Sequence, residues 1–352
     1  MLHVVTPYGR NGPSSRVRVY EWLDRIAEPT AVTGYVSYRN SSPAYLTRHP
    51  VAVLAAEGRL RKISLRRPQS LLLHREASPL SRGALERRLL RSAAFAVYDF
   101  DDALQWDWGV GGVVRHIAPK APKAYAAVSQ ADRVIAGNPV LADWASAHNR
   151  DVVLIPSCVA PDSYQPKQSY RLSDPPRIGW IGSPDNEQHL RLIAPALREA
   201  HRRSGARIVL IGTTARGLGA LEAMIDRIPW SEAIQGSKLA EVDVGIGPLP
   251  DDPYSRGKCG YRILQYAAAG VPALGSPVGV NRDILSQLGM AAPSTIDEWD
   301  DALADLFGKS DEARAALGRR AREIVRLRYS YDALLPRWRG AVGLSGPGPG
   351  GG

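Results

Sequence analysis

Cysteine is scarce: the 352 residues include Cys158 and Cys259 alone, far apart and outside any metal-ligand spacing. Neither a metal site nor a disulfide is expected, and both thiols are expected to stay reduced. No apolar run approaches the roughly 18 residues of a membrane-crossing helix, which argues against membrane insertion and leaves peripheral association open. The opening MLHVVTPYGRNG lacks a basic stretch followed by a long apolar one. It does not read as a secretion signal, and a cytoplasmic protein is expected. No basic motif with interleaved aromatics occurs, so no nucleic-acid partner is expected. Neither half carries a full G-x-G-x-x-G followed by an acid at dinucleotide spacing, which disfavours a dehydrogenase. A carboxylate pair of the glycoside-hydrolase kind is also missing.

What is present suits a soluble enzyme. Hydrophobic residues make up 44% of the chain, and the length predicts two domains of about 150 to 180 residues. The net charge of +10 raises the question of a polyanionic partner. The arginine pairs Arg66-Arg67, Arg87-Arg88, Arg202-Arg203 and Arg319-Arg320 are spread along the chain, however, and read as solvated faces.

Residues 2–6 form an apolar strand that breaks at the turn Pro7-Tyr8-Gly9-Arg10-Asn11-Gly12-Pro13. Ser14 or Ser15 can cap the following helix, whose inner stripe is Val19, Trp22, Leu23 and Ile26. The turn is either a plain tight turn or a ligand loop, with Arg10, Arg16 and Arg18 placing positive charge near a helix start. Further strands are expected at 51–55, 70–73 and 94–98, with an amphipathic helix at 85–90 between the last two. The strand at 94–98 runs into Asp99-Phe100-Asp101-Asp102, where carboxylates at a parallel strand's carboxyl end face a ligand crevice. These are either loop acids or, beside Trp106 and Trp108, a sugar- or amine-contacting edge. His116 is either a ligand contact or an ordinary loop residue.

Strands at 133–137 and 152–155 flank a helix at 139–147. A stretch rich in Pro, Ser, Gln and Tyr at 161–176 then reads as a linker. The pattern restarts with strands at 177–182, 207–211 and 243–246, the second ending in Gly212-Thr213-Thr214. Residues 258–281, KCGYRILQYAAAGVPALGSPVGVN, join a glycine loop to a helix at 262–269 and an apolar run at 271–274. A helix N-terminus of this kind receives anions, and a diphosphate suits it. Strands alternating with helices in both halves predict an α/β protein with two parallel-sheet domains. Leu317, Ala321, Ile324 and Val325 mark a late helix, and the glycine-rich end has nothing to bury.

YGRNGPSSRVRVYEWL, VYDFDDA, IGWIGS and PLPDDPYSRGKCGYRILQYAAAGVPALGSPVGVN together resemble a bacterial glycosyltransferase of the glycogen-synthase-like, retaining group with the GT-B fold. The resemblance spans nearly the whole chain and is weakest over 32–66. It implies two Rossmann-like, doubly wound parallel-sheet domains facing a central cleft. Their expected bounds are an acceptor domain at 1–160, a linker at 161–176 and a nucleotide-sugar domain at 177–325. A segment at 326–340 is expected to return to the first domain, and 341–352 to be a disordered tail.

Carried over by position, Gly182 and Ser183 lie against the donor phosphates, Gly212 near the nucleotide and Trp230 near the base. Gln265 reaches the ribose, and Lys258, Cys259, Gly260 and Tyr261 offer donors to the phosphate and the transferred sugar. Gly9, Arg10 and Gly12 close over the phosphates. Asp99, Asp101, Asp102, Trp106 and His116 face the acceptor, and Asp101, Asp102 and Lys258 stand as the catalytic candidates. No essential metal or other cofactor is implied.

Two departures from the group stand out. Its paired glutamates, separated by seven intervening residues, correspond to Gly257 and Gln265, and its phosphate-binding Arg and Lys correspond to Ser183 and Gln188. Lys258, Arg256 and Arg10 are the replacement cations that the motifs supply. The expected activity is transfer of a hexosyl or N-acetylhexosaminyl group from a UDP-sugar to a hydroxyl of a small acceptor. Three first-domain acids suggest an amine-bearing aminocyclitol of aminoglycoside antibiotic biosynthesis. A cell-surface polysaccharide or glycolipid acceptor is the alternative, and so are a nucleotide-sugar epimerase and a non-catalytic nucleotide-sugar-binding subunit.

Overall fold

The computed structural model describes residues 1–35, 43–107, 116–212 and 214–344. Trp108 and Thr213, both singled out above, lie outside the described residues. The chain divides into two compact units. One comprises Met1–Ser157, Arg256–Cys259 and Leu334–Gly352; the other comprises Cys158–Ser255 and Gly260–Ala333. Arg256–Cys259, expected with the second domain, therefore falls in the first unit.

The first unit is built on six parallel strands: β1 (Leu2–Thr6), β2 (Thr30–Gly34), β3 (Ser70–His74), β4 (Phe95–Phe100), β5 (Arg133–Ala136) and β6 (Val152–Leu154). Their order is β2-β1-β3-β4-β5-β6, so β4 is an inner strand, buried along almost its whole length. Continuous apolar runs such as Leu71-Leu72-Leu73 suit strands covered on both faces.

Residues 51–55, expected as a strand, lie in helix α1 (Pro50–Arg66). Pro50 occupies the first turn, where a missing N–H costs nothing, and Ala56, Leu60 and Ile63 form the buried stripe. Helix α2 (Ala84–Ser92) follows β3. Helices α3 (Lys120–Gln130) and α4 (Pro139–Ser146) flank β5. Asn138 caps α4, its side chain accepting from the Leu141 N–H.

The last helix, Tyr331–Ala341, brings Trp338 onto Trp22 with ring centroids 5.3 Å apart. Arg339 donates to Glu28 at 2.9 Å. The expected disordered tail begins too early at 341, because Val342 is 0% exposed and its carbonyl accepts from Ser70 Oγ. Residues 345–352 lie outside the described residues.

The second unit has five parallel strands: β7 (Arg177–Ile181), β8 (Arg207–Gly212), β9 (Ile225–Pro229), β10 (Val244–Gly247) and β11 (Ala273–Gly275). The order β11-β10-β7-β8-β9 reverses direction between β7 and β10, the switch point at which such sheets hold ligands. Alternation along β8 sends Val209 and Ile211 into one apolar cluster and Ile208 and Leu210 into another. The sheet is thus covered on both faces, by α5 (Ala194–Ser204) and α6 (Tyr261–Ala268) among others.

Residues 161–176 are not a free linker. Tyr164 and Tyr170 are buried in this unit, and Tyr170 Oη donates to the Gly270 carbonyl at 2.8 Å. Burying two large rings outweighs the polar composition that suggested a spacer.

Candidate functional site

In the first unit the carboxyl ends of β3 and β4 meet. Arg75, held at φ 58°, donates Nε to Asp101 at 2.6 Å and Nη2 to Asp102. Tyr98 Oη donates to the Arg75 carbonyl at 2.9 Å and so fixes the turn. Lys258 brings Nζ to 3.3 Å from Asp102. Asn138 holds the Lys258 segment through the Gly257 and Lys258 carbonyls, at 2.7 and 3.2 Å.

Gly257 stands where a family glutamate was expected because the backbones come too close for a side chain: a Cβ there would lie 2.4 Å from Ala103 Cβ. Cys259 donates Sγ–H to the Asp101 carbonyl at 3.2 Å, and burial pushes its thiol up to about 12. Burial alone would raise the Asp102 carboxyl. Lys258, Arg75 and Lys120 outweigh it and hold Asp102 well below the usual carboxylate range.

Asp99 differs from its neighbours and is a correction to the expected acceptor edge. It lies inside β4, is 1% exposed, and has both oxygens engaged. Arg18 spans both through Nη2 and Nε, and His74 Nδ1 lies 2.7 Å from Oδ2. Arg18 also donates to the Ile155 and Pro156 carbonyls at 2.9 and 3.0 Å. Arg18, read from sequence as charge near a helix start, is thus an internal clamp.

The turn after β1 is closed by Gly12 N–H donating to the Gly9 carbonyl at 2.9 Å. Arg10 pairs through two nitrogens with Asp24 at 2.7 Å and lies over the Tyr20 ring. Ser15, expected as a cap, instead shares a 2.6 Å hydrogen bond with Thr6, and Gly12 occupies the cap position. Trp106 and His116 are both exposed.

In the second unit Gly182 follows β7 at the switch point. A Cβ on Gly182 would lie 2.6 Å from Arg262 Nη2 and 2.7 Å from the Trp180 ring. Arg262, in the first turn of α6, stacks over Trp180 at 4.6 Å from the ring centroid and donates Nε to the Ile181 carbonyl at 2.5 Å. No carboxylate among the described residues pairs with it. Arg227 shows the contrast, bridging Glu187 at 3.1 Å and Glu222 at 2.8 Å. Ser183 accepts from Asn186 Nδ2 at 2.9 Å.

Trp230 and Gln265, far apart in sequence, belong to one hydrogen-bonded chain. Trp230 Nε1 donates to Gln235 Oε1 at 3.1 Å, and Gln235 and Gln265 each donate Nε2 to Tyr164 Oη, at 2.7 and 3.2 Å. The Trp230 N–H donates to the Gly212 carbonyl at 3.0 Å. Tyr266 bonds both switch-point strands through its hydroxyl, at Gly179 and Ile246. Gly260 caps α6, followed by Tyr261.

Sequence reasoning missed Arg75, Tyr164, Gln235 and Arg262. Arg262 had a signal: it is the cation one residue into the helix that the glycine loop opens. The other three had none.

No protein-family model matches the sequence, and no curated protein matches it. Solved structures do match, over the whole length. Sucrose-phosphate synthase from Thermosynechococcus elongatus aligns over 98% of this chain and 100% of its own, with a TM-score of 0.71 at 13% identity. Anabaena HepE, solved in complex with UDP-glucose, aligns over 98% and 100%, with a TM-score of 0.71 at 12% identity. A glycosyltransferase from Rickettsia africae ESF-5 aligns over 98% of each chain, with a TM-score of 0.64 at 14% identity. The fold is GT-B. Of the residues that the resemblance assigned to the donor, Gly182, Ser183, Gly212, Trp230, Gly260, Tyr261 and Gln265 fall in the second unit, whereas Gly9, Arg10 and Gly12 fall in the first. Lys258 and Cys259 belong to the first unit, packed on the Asp101-Asp102 turn.

Proposed function

We propose that this GT-B chain is a nucleotide-sugar-dependent glycosyltransferase, moving a hexosyl or N-acetylhexosaminyl group from a UDP-sugar to an acceptor hydroxyl with retention at the anomeric carbon. The observation that carries the reading is the Arg262 guanidinium, fixed beside Gly182 at the switch point without a carboxylate partner among the described residues. HepE, a protein of the same fold, was solved with UDP-glucose.

In this reading Arg262 and the backbone of Gly182 and Ser183 receive the diphosphate, Trp230 lies near the base, and Gln265 offers its amide oxygen to a ribose hydroxyl. As the glycosidic C–O bond breaks, negative charge grows on the departing diphosphate. A preorganised guanidinium stabilises that charge more than it stabilises the ground state. No essential metal or cofactor is assigned.

Asp101 and Asp102 keep the acceptor-side role, with Asp102 ionised beside Lys258. The aminocyclitol reading rested on acids available to pair with amines. Asp99 is enclosed and Arg75 already bonds Asp101 and Asp102, so the acids lend that reading less support, and the acceptor is proposed only as a hydroxyl group.

Incubation with a panel of UDP-sugars, with and without sugar and glycolipid acceptors, tests the reading through UDP release. Acceptor-dependent release with a new glycoside is the expected result. Interconversion of donors would indicate an epimerase, and tight UDP binding without turnover a binding subunit.

A further inference from the structure

Residues 43–98 carry eleven arginines and lysines against three carboxylates, Glu57, Glu76 and Glu86. Glu76 and Glu86 are buried, and Glu57 is bonded by Tyr35 at 2.9 Å and Ser78 at 2.5 Å. Arg75 is engaged by Asp101 and Asp102; the other ten cations still outweigh these carboxylates, so positive charge dominates the part of this surface that meets solvent. It is also concentrated. Arg67, Arg87, Arg88 and Arg91 line one groove of about 730 Å³ between α1 and α2, and Arg61, Arg82 and Arg88 line a second beside it. Two of the four arginine pairs that read as scattered along the sequence, Arg66-Arg67 and Arg87-Arg88, are thus neighbours in the first unit.

The same face exposes aliphatic side chains. Val51 is 78% exposed, Leu54 72% and Leu65 71%, and Leu80 lines the second groove beside Arg82. At helical spacing Val51, Leu54 and Leu65 fall on the side of α1 opposite its buried residues Ala56, Leu60 and Ile63, interleaved with Arg61, Lys62 and Arg66. Aliphatic residues among cations on a solvent-facing helix side suit an interfacial helix, whose side chains enter the headgroup region while the cations meet lipid phosphates. A polynucleotide would meet the cations but leave the leucines in water, and neither helix carries an aromatic residue on which bases could stack.

We propose that the α1–α2 face docks this chain on the anionic surface of a lipid bilayer. The experiment is co-sedimentation of the full chain with phosphatidylcholine vesicles, with and without phosphatidylglycerol, in low and high salt. Binding is expected with phosphatidylglycerol alone and is expected to fall in high salt. Replacing Arg61, Arg87 and Arg88 together by Gln is expected to weaken binding about a hundredfold at low salt. The same replacement at Arg198, Arg319 and Arg320 of the second unit is expected to change it less than about twofold on that basis.

Leu54→Ser with Leu65→Ser, which keeps every charge, is expected to weaken vesicle binding about tenfold while leaving retention on heparin unchanged. All these positions are exposed, and circular dichroism checks that the variants fold. Absence of vesicle binding, equal binding to neutral vesicles, or an equal loss in the second-unit variant overturns the proposal. Binding that ignores the leucines identifies a soluble-polyanion surface instead, and overturns it too. The assay reads no turnover, so its outcome is independent of the transferase reading.

Discussion

The guanidinium of Arg262 lies over the indole of Trp180, 4.6 Å from the ring centroid, with Nε bonded to the Ile181 carbonyl. Trp180 is fully buried in β7, so the strand fixes the ring on which the cation rests. Burial lowers the Arg262 pKa, which marks an ion taken partly from water with no carboxylate among the described residues to compensate. Such a group gains more from an incoming anion than a hydrated surface arginine does.

Replacing Arg262 by Ala should therefore weaken UDP binding about ten- to hundredfold, since a charge-assisted contact to phosphate contributes roughly 1.5–3 kcal/mol. Uridine, which lacks the diphosphate, should bind the variant as it binds the native protein. Lys should recover part of the loss, because an ammonium keeps the charge but neither stacks as a planar fork nor presents two parallel donors. Titration calorimetry with both ligands measures the difference. Equal losses for UDP and uridine would place Arg262 in the fold rather than against the phosphates.

Gly182→Ala tests the same arrangement from the other side. The added methyl would lie 2.6 Å from Arg262 Nη2 and 2.7 Å from the Trp180 ring. The ring is anchored in the core, so the guanidinium is the group that gives way. UDP affinity should fall about as far as in the Arg262 variant. If the glycine acts through Arg262, the double variant should be no weaker than Arg262→Ala alone, a coupling that a double-mutant cycle reads directly. Additive losses would mean that Gly182 meets the ligand by a separate contact.

The alternation of strand and helix was legible because inner strands such as Leu71-Leu72-Leu73 and Val134-Ile135-Ala136 are unbroken apolar runs between turns. Edge strands were harder. Thr30–Gly34 and Ile225–Pro229 each pair on one side and stay half-exposed, so neither stands out by hydrophobicity. Residues 51–55 misled for the opposite reason. Val51 and Leu54 are apolar yet face solvent, and a short aliphatic run does not reveal its own period.

The site was legible where backbone geometry dictated residue type, as at Gly182 and the Gly260 cap. It was hidden where partners come from distant segments. Asp99 sits among polar letters, yet Arg18 and His74 close around it only once β1, β3 and β4 are side by side. Residues 258 and 262 are four apart in sequence, and the structure assigns them to different units.

The Arg18–Asp99–His74 cluster should be a stability determinant rather than a ligand contact. Asp99→Asn leaves Arg18 buried without its counter-charge, and breaking a buried pair in this way costs about 3–5 kcal/mol. Burial by itself would raise the Asp99 carboxyl, but Arg18 and the His74 hydrogen bond outweigh it and hold the carboxyl below its ordinary value. A depressed folded-state value means that the contribution is present above the unfolded-state value, near pH ~4, and fades as pH falls through the folded-state value. Urea unfolding should show the full gap between native and variant proteins at neutral pH and a narrower gap in acid. A gap that widens on acidification would contradict the assignment.

Lys258 separates two chemical roles. Its position in the glycine block suggested a phosphate contact, whereas its Nζ lies 3.3 Å from Asp102 in the first unit. After the opposing effect of burial, Lys258 is the foremost cause holding the Asp102 carboxyl low. Lys258→Gln should then leave UDP affinity within about twofold of native, because in the proposed reading Arg262 and not Lys258 supplies the phosphate cation. The acid limb of the kcat/KM profile should move to higher pH, since Asp102 then protonates more readily. Asp102→Asn should lower turnover and remove that limb, again with nucleotide affinity retained. A ten- to hundredfold loss of UDP affinity in Lys258→Gln, with the acid limb unmoved, would return the phosphate role to Lys258 and leave Asp102 ionised by Arg75 and Lys120.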